Sequence, residues 1–163
     1  MFNFAALIAT LGCLSAPMGD IPIKELGSAK YKRAFIKLYN ASLCSTSDSF
    51  DWNEPFALTL EYSRDFKGSR IVWATIHEMA RLSDREKSDI EPLRETIEQC
   101  FPNVEKGDQF TGISDGPDTA RFYLNGELTC NVEWPGFREQ FFGIWLSAET
   151  REPKKAKRLK GEE

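Results

Sequence analysis

The chain has 163 residues, 41% of them hydrophobic and 28% charged, with 12 Phe and 4 Trp. That length suits a single domain whose core is large enough to fold without covalent staples. A net charge of −4 gives no electrostatic reason to expect a nucleic-acid partner. A lone His and the scattered Cys positions fit no zinc site, and no motif calls for a cofactor.

Residues 1–19 carry no charged side chain, and the run from Phe2 to Leu14 is largely apolar. It is too short to span a membrane and about right for the apolar region of a secretory signal. No Lys or Arg precedes it, Pro17 interrupts a clean cleavage site, and the residues before Cys13 make a poor lipoprotein box. The expectation is an exported protein, periplasmic or secreted, with residues 1–19 as signal or apolar N-terminal segment. Residues 20–163 then form one domain with a basic tail. Cys44, Cys100 and Cys130 would remain after export, read as three buried thiols, with one disulfide among them as the alternative.

Ile21 to Ser28 reads as a linker or short edge strand, and Lys30 to Leu43 as one long strand with mixed faces. Ser45 to Pro55 is a polar loop. Phe56, Leu58, Leu60 and Tyr62 alternate with Ala57, Thr59 and Glu61, the pattern of a half-buried antiparallel strand. A helix follows over 69–82, with Val72, Ile76, Met79 and Leu82 as its stripe. Ser83 and Glu86 spell a capping box for the next helix, which runs to Phe101 and is broken or kinked at Pro92. The chain then meanders through a strand over 110–114, a turn at Asp115-Gly116-Pro117, and a hairpin over 119–132 about Asn125-Gly126. A three-residue loop there sets Phe122 opposite Leu128 and gathers apolar residues on one face, which favours it over a two-residue loop. A greasy helix spans 137–146; Gly143 in its middle suggests that another backbone or a ligand comes close. The order predicts an α+β domain, an antiparallel β-sheet packed against a layer of helices.

Little in the chain looks catalytic. His77 sits off its helix stripe, no Ser has a nucleophile-elbow context, and no Gly-rich loop is long enough for phosphate. The polar groups that stand out lie within apolar strands: Tyr39 on the long strand, Tyr62 and Arg64 at the end of the next, Arg121 and Tyr123 in the hairpin. An Arg beside Tyr hydroxyls on an apolar sheet suits a forked, charge-assisted grip on a carboxylate, and Arg64 is the foremost candidate. The alternative is that Arg64 and Arg121 point to solvent. The cluster Arg151, Lys154, Lys155, Lys157, Arg158 and Lys160 reads as a solvated helix end, with binding to an anionic membrane surface as the alternative.

Three segments together resemble the chalcone isomerase-like proteins, in their bacterial, non-plant branch: Phe35 to Leu43, Leu58 to Asp65, and Phe141 to Leu146 with Thr150 and Pro153. The hairpin from Arg121 to Gly126 sits where that branch has a similar one, and the likeness covers about residues 24–160. It implies an antiparallel sheet layered on helices with a ligand cleft between them. Plant chalcone isomerases close a flavanone ring with an Arg, a Thr, a Tyr and an Asn. Those positions fall near Gly27 to Lys30, on Tyr39, near Gly68 or Ser69, and near Thr75; the last helix's Ser or Thr position falls near Ile144. The catalytic set is not carried over. Plastid members of the wider fold bind fatty acids, holding the carboxylate with an Arg and a Tyr. The resemblance therefore implies a non-enzymatic protein that binds a small apolar or fatty-acid-like ligand. The alternatives are an isomerase or lyase using Tyr39, Tyr62 and Arg64, and an envelope interaction or structural protein.

Overall fold

The strict alternation of Phe56 to Tyr62 decides the layers. Phe56, Leu58, Leu60 and Tyr62 are all buried, in one core with Val72, Ile76, Met79, Phe137, Phe141, Phe142 and Leu146 from the helices. Burial of each large apolar side chain contributes about 1.5–3 kcal/mol, so this face sets the register. In the computed structural model, which describes residues 23–162, six strands form one antiparallel sheet in sequence order. They are β1 (Lys24–Arg33), β2 (Ile36–Ser45), β3 (Phe56–Tyr62), β4 (Gln109–Gly116), β5 (Thr119–Leu124) and β6 (Glu127–Glu133). The helices are α1 (Gly68–Ser83), α2 (Lys87–Ile90), α3 (Leu93–Glu98), α4 (Phe137–Leu146) and α5 (Pro153–Leu159). Among the described residues no helix is long and apolar enough to cross a membrane. The expected segment 1–19 lies outside the described residues.

The α+β layering matches the expectation; several local readings do not. The long strand over 30–43 is two strands, because the chain reverses at Ala34-Phe35 and pairs Arg33 with Ile36 and Tyr31 with Tyr39. Neither residue at the reversal is a turn former, and Ala34 adopts φ 53°, a left-handed conformation the sequence does not advertise. The fold-back also explains the mixed faces. The capping box does not form: Ser83 ends α1, Asp84 closes it at φ 51°, and Glu86 stands before α2 without a side-chain cap bond. Pro92 divides α2 from α3, as its missing donor requires.

The β5–β6 loop has two residues, Asn125 at φ 49° and Gly126 at φ 85°, so Tyr123 faces Leu128. A register shift after this pair then brings Phe122 opposite Cys130 and Ala120 opposite Val132. The apolar residues do gather on one face, but through a bulge and not through a longer loop.

The basic tail keeps Arg151, Lys154, Lys157 and Arg158 exposed, as a solvated helix end would, but its apolar side is docked. Pro153 opens α5, whose Ala156 and Leu159 are buried. The helix lies so close to β1 that a Cβ on Gly27 would sit 2.0 Å from the Arg158 carbonyl oxygen. Gly143, by contrast, is not crowded: a Cβ there would meet only the Ser147 side chain, at 3.6 Å. The cysteines are not thiols. Cys100 and Cys130 form a disulfide that ties the end of the helical segment to β6, and Cys44 is disulfide-bonded as well.

Candidate ligand-binding site

Three tyrosines line up across the first three strands. Register places Tyr31 opposite Tyr39 and Tyr39 opposite Tyr62, all on the helix-covered face. The rings of Tyr31 and Tyr39 stack at 4.9 Å, and that of Tyr62 meets Tyr39 edge-on at 6.0 Å. Phe66, on the link into α1, packs on Tyr62 at 5.6 Å. From α4, the indole N–H of Trp145 donates to the Tyr39 hydroxyl at 3.0 Å. Lys155 of α5 lies 4.8 Å above the Tyr31 ring and pairs with Glu152 at 2.7 Å. The cluster lies where the sheet, α4 and α5 converge, and Tyr31 and Tyr62 are buried there.

Burial raises the pKa of all three phenols. For Tyr31 the charges of Tyr39 and Glu152 add to the effect. For Tyr39 burial again leads and Glu152 assists, while the Trp145 bond opposes. For Tyr62 burial leads and Tyr39 assists. These hydroxyls therefore stay neutral donors at any physiological pH. Among the described residues, those of Tyr31 and Tyr62 make no hydrogen bond with the protein, and that of Tyr39 keeps its own proton to donate. An oxygen-bearing head group that reached this cluster would meet O–H donors and aromatic rings, beside the Lys155–Glu152 ion pair.

The other expected site residues lie elsewhere. Tyr39 and Tyr62 come together, but Arg64 is exposed on the link between β3 and α1, and its side chain makes no bond among the described residues. Arg121 and Tyr123 meet on the opposite face of the sheet, where guanidinium Nη1 donates to the Tyr123 hydroxyl at 3.3 Å and Nη2 lies 3.4 Å from Asp115. There Tyr123 joins a second small core with Cys44, Ala57 and Ile113. The five residues thus form no single carboxylate grip, because residues two apart on a strand share a face while these strands carry the two groups at opposite parities.

Sequence reasoning missed Tyr31, Trp145 and Arg138. Tyr31 shares the cluster only because of the hidden β1–β2 reversal. Arg138, at the start of α4, is 5% exposed and donates to the Ser114 hydroxyl at 2.6 Å and to the Trp52 carbonyl at 2.5 Å. Burial lowers its pKa, and Asp115 opposes this. The one signal for it is an Arg placed among Phe137, Phe141 and Phe142 in an apolar helix.

Where a plant isomerase needs an Arg, Gly27 packs on the α5 backbone; Thr75 donates its hydroxyl to Ile71 within α1; and Ile144 is half-buried against the core. Between the layers Phe56, Phe122, Phe137, Phe142 and Leu146 are fully buried. Open grooves lie at the surface, one of about 320 Å³ between Trp52, Leu82, Gln140 and Glu149, another of about 230 Å³ between Lys24, Phe50 and Lys160.

A family profile described as chalcone isomerase-like matches residues 23–160. Among solved structures, an Arabidopsis thaliana fatty-acid binding protein shares the fold at a TM-score of 0.71 and 12% identity, covering 89% of each chain. No curated protein sequence matches.

Proposed function

The chain belongs to the chalcone isomerase-like family, and from that premise we propose that it is a non-enzymatic member that binds an apolar, fatty-acid-like ligand. The carrying observation is the phenol cluster of Tyr31, Tyr39 and Tyr62, which sets neutral O–H donors among aromatic rings between sheet and helices. A general acid or base works best with a pKa near the operating pH. These phenols are driven the other way, which supports binding over catalysis. The Arabidopsis fatty-acid binding protein gives the same fold a precedent for such a role. An exported location, periplasmic or secreted, belongs to the proposal and is supported by the Cys100–Cys130 disulfide, since such bonds persist in oxidising compartments.

Native mass spectrometry of the protein from its own host, followed by titration with a fluorescent long-chain fatty acid, tests this. Bound lipid or saturable uptake, weakened by Tyr62→Phe, is expected. A consistently empty protein that takes up nothing ends the reading. A structural or interaction role is the second reading, favoured by the aromatic packing between the layers. It requires that the empty protein keep its full thermal stability when fatty acid is added.

A further inference from the structure

The β1–β2 hairpin ends in a tip that gives the core nothing. Arg33 pairs with Ile36 and leaves Ala34 and Phe35 as the loop. Phe35 is fully exposed and Ile36 is 48% exposed. Ala34 holds φ 53°, which an L side chain adopts at a cost. The same chain shows what an ordinary tight hairpin uses, Asn125-Gly126 between β5 and β6. A large aromatic at a strained, exposed tip breaks local rules without a compensating contact, and such places tend to serve function.

The charge around the tip is one-sided. Between Leu26 and Ser47 the sequence has Lys30, Lys32, Arg33 and Lys37 and no acidic residue, and all four side chains are exposed. Helix α5, packed on β1, adds exposed Lys154 and Lys157, while its neighbour Glu152 is occupied by Lys155. The neighbouring strand β3 carries Glu61 opposite Asn40, and Asp65 follows Ser63, whose N–H bonds the Leu38 carbonyl. The whole chain is nevertheless acidic, at −4. Such a molecule approaches an anionic surface hairpin first, because the rest of it is repelled.

We propose that the β1–β2 hairpin is a membrane-docking element: Phe35 and Ile36 insert among the lipids of an anionic bilayer, and Lys30, Lys32, Arg33 and Lys37 meet its head groups. An exposed aromatic flanked by basic side chains combines the two signals that hold peripheral proteins on such surfaces, apolar insertion and attraction to anionic lipid. The tip sits two register pairs beyond Tyr31 and Tyr39, so docking brings the phenol cluster toward the lipid surface. The proposal stands independently of whether that cluster takes a ligand.

Vesicle flotation with the full chain tests it. Binding to phosphatidylcholine vesicles containing phosphatidylglycerol is expected, with little to vesicles of phosphatidylcholine alone. Phe35→Ser is expected to weaken the binding about tenfold, and the pair Lys32→Glu with Arg33→Glu at least about tenfold. All three side chains are exposed, so circular dichroism and thermal unfolding should match the parent, and fatty-acid uptake in detergent-free solution should be unchanged. Failure of the parent to float with anionic vesicles overturns the proposal. So does Phe35→Ser binding as the parent does, which would leave only adhesion by charge. A dimer that Phe35→Ser dissociates, without vesicle binding, assigns the tip to a second copy of the chain and also overturns it.

Discussion

The indole N–H of Trp145 reaches the hydroxyl of Tyr39 at 3.0 Å, across a sequence separation of 106 residues. This bond fixes the end of the closing helix α4 to the sheet within the phenol cluster. Trp145 is 8% exposed, so a lost acceptor leaves its N–H largely without water.

Tyr39→Phe removes that acceptor and should lower stability by about 1–2 kcal/mol. Trp145→Phe should do about the same, and the double variant should be less than additive, with a coupling of about 1 kcal/mol. Tyr62→Phe, whose hydroxyl has no protein partner among the described residues, should stay within about 0.5 kcal/mol of the parent. Urea unfolding of the four variants measures all of this. If Tyr62→Phe costs as much as Tyr39→Phe, its hydroxyl has a structural bond and is not an uncommitted donor.

The raised phenol pKa values make the fold sensitive to alkali. An unfolded tyrosine titrates near about pH 10. Below that pH the three phenols are neutral in both states, and their contribution is complete. Above it the unfolded chain releases protons that the folded chain keeps, because burial raises the folded values of Tyr31, Tyr39 and Tyr62. Stability then falls as pH rises, by about 1.4 kcal/mol per pH unit for each phenol until its folded pKa is reached. Tyrosinate absorbance followed through an alkaline titration should show three phenols ionising together with loss of tertiary circular dichroism. Smooth, independent ionisation of the folded protein would contradict the burial argument.

Legibility followed periodicity. Phe56, Leu58, Leu60 and Tyr62 recur at every second residue and Val72, Ile76 and Met79 at helical spacing, so the sheet-on-helix layering could be read directly; the strand is not half-buried, though, because Ala57 and Thr59 are buried on its other face. The β1–β2 reversal was hidden because Ala34-Phe35 carries no turn chemistry and the strands on either side continue the β pattern. Missing that reversal concealed Tyr31, and with it the cluster. Tyr39 and Tyr62 were found because a polar tip on an apolar strand is visible locally. Arg121 with Tyr123 was found by the same signal, but which face of the sheet the helices cover is not a local property. The disulfide could not be assigned from spacing, since it depends on where the end of α3 meets β6.

Two glycines should respond in opposite ways. Gly143→Ala adds a methyl group 3.6 Å from its nearest neighbour, an ordinary contact, in the middle of α4. It should stabilise the protein by up to about 1 kcal/mol through helix propensity and a less flexible unfolded chain. Gly27→Ala sets a methyl group 2.0 Å from the Arg158 carbonyl oxygen, a backbone atom that cannot swing away. Moving α5 off β1 should cost about 1–3 kcal/mol. Thermal melts decide both; an unchanged Gly27→Ala melt would mean α5 does not rest on β1 as closely as the geometry states.

Among the described residues Arg138 is a buried cation, and its hydrogen-bond partners are neutral oxygens. Its guanidinium joins α4 to β4 through Ser114 and to the loop before β3 through the Trp52 carbonyl, with the Phe56 ring 5.7 Å away. Lys cannot span both acceptors, because a single ammonium replaces a planar fork. Arg138→Lys should therefore lose about 1–2 kcal/mol, and Arg138→Ala about 3 kcal/mol or more, since it removes the donor to the Trp52 carbonyl, leaves the Ser114 hydroxyl only its bond to the Gly116 carbonyl, and opens space beside Phe56. Neither change touches the phenol cluster, so fatty-acid uptake measured well below the melting temperature should match the parent. Loss of uptake in Arg138→Lys at full foldedness would move the binding site from the tyrosines to the α4 N-terminus.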